Sequence, residues 1–243
     1  PGVPLPEARA AGGLVIVDGM LHYFGGSEAD RSTDSGTHWV MEMGTEEPSW
    51  QEAAPMPFRR HHMGVAVLDG KIYASYLHKV SDRIRVFEED GTPVGEVEIP
   101  GHVSATIRGN GDGKASLTLR GHLLPNTTYE LDLSSGERTA SEESEVPFDA
   151  GGFAVEQVWY TSRDGTRAPL YVIHRDGIEL DGSHPTLLNG YGGFNANTKP
   201  GFSKKAAVWL ELGGVYAMAP WRGGGEFDEN KQHVFEDFIA AGE

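Results

Sequence analysis

One ten-residue pattern occurs twice in this chain. Gly13-Leu-Val-Ile-Val-Asp-Gly-Met-Leu-His22 recurs as Gly64-Val-Ala-Val-Leu-Asp-Gly-Lys-Ile-Tyr73, with the equivalent Gly19 and Gly70 offset by 51 positions. Each copy is an apolar run, an Asp-Gly pair and a second run, the signature of a two-stranded hairpin with a tight turn. Repetition at this period narrows the fold sharply. A unit of that size cannot bury its apolar face alone, so it must stack on its neighbours as a blade of a β-propeller. The 33 glycines and 14 prolines suit such a turn-dense, β-rich chain.

The surroundings of the repeat resemble kelch blades. Arg9 and Arg60 stand just before the first strands, Gly25-Gly26 closes the second, and Trp50 precedes Ala54-Pro-Met-Pro57 where blades would join. The resemblance covers about 1–73 and implies a little under two blades, with Tyr23, Trp39 and Trp50 packed between them. The second copy departs from the pattern, because Tyr76-Leu77 stands where Gly25-Gly26 would recur. Beyond it, short turn-bounded runs predict strands at 72–78, 83–88, 94–99, 103–108, 115–120 and 127–133. Asn110-Gly-Asp-Gly-Lys114 lacks the downstream glutamate of a calcium loop and reads as a plain turn. Ser141–Pro147, polar and acidic, reads as a connection.

From Ala150 the pattern changes to alternating strands and helices. Strands are expected at 154–163, 169–174, 185–189 and 214–219, and helices at 203–212 and 229–241, with Pro185–Asn189 a short buried strand and Gly213-Gly214 ending the first helix. The fold class expected for the whole is therefore mainly β propeller blades followed by the N-terminal half of an α/β-hydrolase domain.

This last segment also carries the chemistry. Asn189-Gly-Tyr-Gly-Gly-Phe-Asn195 and Arg222-Gly-Gly-Gly-Glu226, with Gln157–Pro169, Asp181-Gly-Ser-His-Pro185 and Asn230-Lys-Gln232, closely resemble the start of the hydrolase domain of prolyl oligopeptidases, serine peptidases that cut after proline. Ala74–Phe87, Asp90–Pro100 and Asn126–Gly136 are similar to that family's late propeller blades. The resemblance covers about 74–243 and divides the chain into kelch-like blades (1–73), peptidase-like blades (74–148) and a partial hydrolase domain (149–243). Two propeller signatures in one chain read as a chimera with its seam at about Ile72–Ser75; the alternative is one divergent propeller.

By resemblance, the Tyr191 hydroxyl would donate to the oxyanion of acyl transfer and Phe194 would line the pocket for a proline ring. Gly192 and Gly193, with Gly190, would turn the backbone tightly through positive φ, while Asn195 and Arg222 would complete the substrate-binding set. The implied substrate is a short proline-containing peptide. Only Phe227–Asn230 separates the glycine turn from Lys231-Gln232, which shortens one wall of the family's site.

No serine stands in a Gly-x-Ser-x-Gly turn: Ser27 is followed by Glu28-Ala29, and Ser183 lacks the second glycine. The Ser-His-Asp triad is thus absent and this chain by itself is expected to be inactive or nearly so. A non-enzymatic propeller scaffold, engineered or natural, and one fragment of a complemented enzyme are the competing readings. Strand 185–189 is expected to lack a neighbour, offering an edge for self-association or a complementing chain.

Bulk properties limit the partners. A net charge of −16 opposes binding to nucleic acid and to anionic membranes, and no apolar run approaches the ~18 residues of a membrane span. The composition is that of a soluble protein, with the cytoplasm and periplasm both open. Zero cysteines exclude disulfides and thiolate metal sites. The ten histidines are scattered, and adjacent His61 and His62 in a strand face opposite ways, so neither a metal site nor a cofactor is implied.

Overall fold

The computed structural model describes residues 2–30, 33–56, 59, 63–78, 80–192 and 198–221. The repeated pattern forms two hairpins: β1 (Gly13–Val17) with β2 (Met20–Phe24), and β5 (Gly64–Leu68) with β6 (Lys71–His78). At both turns the Asp and the Gly take positive φ, 43° and 82° for Asp18-Gly19 and 51° and 69° for Asp69-Gly70. That geometry matches the right-handed twist of the flanking strands, and Asp-Gly adopts it at low cost. β6 runs unbroken through 72–75 and pairs along its length with β7 (Ser81–Phe87).

Each hairpin grows into a four-stranded antiparallel meander in sequence order. β3 (His38–Glu42) and β4 (Gln51–Glu52) complete the first sheet, and β7 with β8 (Pro93–Glu96) the second. β9 (Val103–Gly111), β10 (Lys114–Gly121), β11 (Thr127–Asp132) and β12 (Arg138–Glu143) make the third. No strand was expected at β12, and its last residues, 141–143, read as part of the polar connection Ser141–Pro147. Its six residues are all exposed, because an outer edge strand needs backbone pairing with β11 but buries no side chain, and its charges discourage edge-to-edge association.

Alternate residues of these strands face inward and hold the sheets together. Val17, Phe24 and Ile72 join the first sheet to the second. Leu68, Tyr73, Ile84 and Val86 of the second pack on Ile107, Leu117, Leu119 and Leu131 of the third. Tyr23 and Trp39, expected between blades, stack on each other across β2 and β3 of one blade at 6.0 Å, with the Arg9 guanidinium 5.1 Å above Trp39. His22 and His38 are buried there as a hydrogen-bonded pair at 3.0 Å. His38 Nδ1 donates to the Ala54 carbonyl, so its Nε2 accepts from His22.

The C-terminal sheet is of a different kind. β13 (Phe153–Thr161), β14 (Arg167–Arg175), β15 (Thr186–Tyr191) and β16 (Val215–Pro220) lie in the order β13-β14-β16-β15. β14 and β16 pair antiparallel, whereas β15 and β16 are parallel and joined by helix α1 (Lys204–Glu211). Ser203 caps the start of α1 through its side chain, and Gly213, at φ 89°, ends it with Gly213 N–H on Leu210 and Gly214 N–H on Trp209. The helix expected at 229–241 falls outside the described residues. Among the described residues β15 is the sheet edge, paired by β16 alone, and is exposed rather than the buried strand its apolar run suggests, in keeping with the missing neighbour expected there, with Leu187 and Leu188 at 43% and 60% exposure.

Candidate functional site

The parallel pair β15–β16 ends at Tyr191 and Pro220, which lie side by side. Carboxyl ends of parallel strands are where open sheets of mixed α and β structure place their ligands. Tyr191 projects there with 49% of its surface exposed. Its carbonyl accepts two hydrogen bonds, from Trp221 N–H at 2.9 Å and from Thr198 Oγ1 at 3.2 Å. These two bonds hold the end of β15 firmly and leave about half of the Tyr191 surface exposed.

The glycines have another role than the one expected. Neither Gly190 nor Gly192 has positive φ. They are needed because Trp221 approaches too closely for any side chain: a Cβ on Gly190 would meet the indole at 2.5 Å, and one on Gly192 the Trp221 carbonyl oxygen at 2.3 Å. Gly193, Phe194, Asn195 and Arg222 lie outside the described residues. Of the sequence-derived set, the structure therefore brings together Tyr191 and Gly192, with Trp221 as their unforeseen neighbour.

The return from the turn reaches the blades. Lys199 Nζ lies 2.8 Å from Asp82 Oδ1, a carboxylate buried on β7 whose other oxygen accepts from Ala105 N–H at 2.9 Å. Ser104 on β9 donates to the Pro200 carbonyl at 2.7 Å. Ser81 and the Tyr171 hydroxyl are 3.2 Å apart, and Tyr171 also accepts from Gln157 at 3.2 Å. A polar cavity of about 210 Å³ opens beside these contacts, lined among others by His78, Asp82, Arg83, His102 and Gln157. None of Ser81, Asp82, Ser104 and Lys199 stood out in the sequence. Their partners lie up to 117 residues away, and no local spacing signals such a contact.

Electrostatics at this junction favour neutral histidines. Burial holds His102 below its usual value. For His122, buried against Tyr171, burial and then the neighbouring His102 bring it down to about 4. Among the described residues its Nε2 has no hydrogen-bond partner. Among the described residues no group of three or more His, Asp or Glu is placed to hold a metal ion.

Comparison with known proteins shows what the chain is similar to. Residues 33–144 match the prolyl oligopeptidase N-terminal β-propeller domain. Over these residues the blades are similar to the propeller of that family. The match runs across 72–75, where the sequence pattern suggested a seam, so neither a chimera nor a kelch origin gains support from it. Prolyl endopeptidases of Elizabethkingia miricola and Elizabethkingia meningoseptica are 36% and 34% identical over 187 and 185 residues, each covering 72% of this chain. The chain spans about a quarter of the length of these relatives, 26% in both cases. A solved prolyl endopeptidase superposes on 95% of the chain with a TM-score of 0.75 and 30% identity, the chain covering 35% of it. Prolyl oligopeptidase B from Galerina marginata, at 23% identity and a TM-score of 0.71, shares the fold over 96% of the chain and 35% of its own length. Among the described residues no helix is long and apolar enough to cross a membrane.

Proposed function

We propose that this chain is the blade-and-site portion of a proline-directed serine peptidase, in which residues 149–243 form the opening half of an α/β-hydrolase domain. The observation that carries the reading is Tyr191, exposed at the carboxyl end of a parallel strand and fixed through its carbonyl to Trp221 and Thr198. In this reading the Tyr191 hydroxyl donates to the developing oxyanion, a contribution of about 3–4 kcal/mol per donor. Phe194 accepts the flat proline ring, and Gly192, Gly193, Asn195 and Arg222 shape the path of a short peptide. The whole protein would cleave the bond after proline by Ser-His-Asp chemistry, with the blades restricting access. The 243 residues hold no Gly-x-Ser-x-Gly turn, so on their own they bind and orient but do not hydrolyse.

Exposed Leu187 and Leu188 on the free edge of β15 favour completion of the sheet by further polypeptide, a second chain or a second copy. The test is peptide binding followed by calorimetry or ¹⁵N shifts. A short peptide with an internal proline is expected to bind and to perturb Tyr191 and Trp221, its proline-to-alanine counterpart to bind more weakly, and a proline-linked chromogenic dipeptide to go uncleaved. Equal binding of both peptides, or perturbation confined to the blades, would sink the peptidase reading in favour of a scaffold. Stoichiometric fluorophosphonate labelling of one serine would overturn the inactivity of the isolated chain.

A further inference from the structure

The tip of the β6–β7 hairpin plugs the blades into the C-terminal sheet. Val80 sits there at φ 67°, a conformation that β-branched residues rarely adopt, and is completely buried against the cluster of Tyr171, Ile173, Ala206, Leu210 and Tyr216. The strain persists because surrounding packing over-determines it. Ser81 and Asp82 follow at once, the first beside the Tyr171 hydroxyl and the second paired with Lys199. Lys199 is adjacent to Thr198, whose hydroxyl holds the Tyr191 carbonyl, and to Pro200, whose carbonyl is held by Ser104. Tyr191 is thus held by Trp221 and Thr198, and the residues that follow Thr198 are held by two blades.

We propose that Asp82 is a positioning residue for the candidate site: through Lys199 and its neighbour Thr198, whose hydroxyl holds the Tyr191 carbonyl, it ties the end of β15 to the second and third blades, so that the seating of the blades sets the placement of Tyr191. The proposal rests on the peptide-site reading of Tyr191. The Asp82 side chain is almost wholly buried and both its oxygens are occupied, so losing Lys199 would leave an uncompensated charge in the interior. Lys199 is 31% exposed and can transfer its ammonium to water. The pair is therefore either engaged or released, with little between. Any motion that lifts the blades from the C-terminal sheet must break it and free the segment from 198 to 203.

The test reads position rather than stability. Chain labelled with 5-fluorotryptophan gives a Trp221 resonance, assigned with Trp221→Phe, that reports contact with Gly190 and Gly192. A Trp209 resonance serves as control, since that indole donates to the Val215 carbonyl at 2.9 Å within the sheet. Asp82→Asn and the less disruptive Lys199→Met are expected to shift or broaden Trp221, leave Trp209 in place, and speed amide exchange at Thr198 and Lys199 about tenfold or more. Lys199→Arg, which keeps the charge, is expected to restore both signals. An unmoved Trp221 in folded Asp82→Asn and Lys199→Met, Trp221 and Trp209 moving together, or no rescue by arginine would each overturn the assignment. Titration with the proline-containing peptide separates the two readings. Binding that Asp82→Asn leaves unchanged overturns the coupling alone, whereas a responsive Trp221 in a chain that binds no peptide upholds the coupling and sinks the site.

Discussion

Replacing Gly192 with alanine should damage the end of β15 without touching any other element. A Cβ at this position would lie 2.3 Å from the Trp221 carbonyl oxygen, 2.5 Å from its carbonyl carbon and 2.5 Å from its Cβ. Two of those atoms are backbone, so no rotamer change can relieve the clash, and Trp221 must withdraw. Withdrawal strains the 2.9 Å hydrogen bond from Trp221 N–H to the Tyr191 carbonyl. Overpacking costs about 1–3 kcal/mol and the lost hydrogen bond about 1, giving roughly 2–4 kcal/mol in all. For a chain of this size that lowers the melting temperature by roughly 5–15 °C. Gly201→Ala is the matched control: among the described residues the one atom near its Cβ is the Lys199 carbonyl oxygen at 4.0 Å, so it should be neutral or stabilise by up to about 1 kcal/mol. Urea unfolding of both variants, with amide exchange at Trp221, checks the pair. If Gly192→Ala unfolds at the wild-type midpoint and keeps Trp221 protected, the close approach that explains both glycines is wrong.

Two further outcomes follow from the interior. Leu117 is fully buried between the second and third blades, and Leu117→Ala should cost about 2–5 kcal/mol by urea unfolding, with far-ultraviolet dichroism unchanged below the transition. The chain should also be acid-sensitive. His122 is held at about 4 in the folded state against 6.5 when unfolded, so the stability it contributes is complete above pH 6.5 and is lost as the unfolded chain takes up its proton. At 1.36 kcal/mol per unit the loss is on the order of 3 kcal/mol by pH 4 and levels off below it. His22, His38 and His102, also lowered by burial, add in the same direction. Urea midpoints from pH 7 to 4.5 should fall steeply in the wild type and less in His122→Gln; equal slopes would remove His122 from the account.

The hairpins of the first two blades were written locally. Asp-Gly between alternating runs specifies turn, register and buried face within ten residues, and β1–β2 and β5–β6 form as that pattern requires. The strand, helix and strand through 186–220, with Ser203 and Gly213 at the helix ends, were legible for the same reason. The first of these strands was expected to stop at Asn189, whereas β15 runs on to Tyr191. β12 escaped because an edge strand bears no apolar alternation, and its backbone pairing with β11 leaves no trace in side-chain type. The apolar run at 185–189 suggested burial, but such a run records only which faces a strand could cover; the exposed edge agrees instead with the missing neighbour expected there. Gly190 and Gly192 were recognisable as important but not as clearance for Trp221, whose approach depends on how β15 and β16 pair. The Asp82–Lys199 pair lay furthest from view. Its two charges are 117 residues apart, and each reads alone as a surface residue. Only packing of the hairpin tip against the C-terminal sheet excludes water from the carboxylate and makes the lysine its necessary partner.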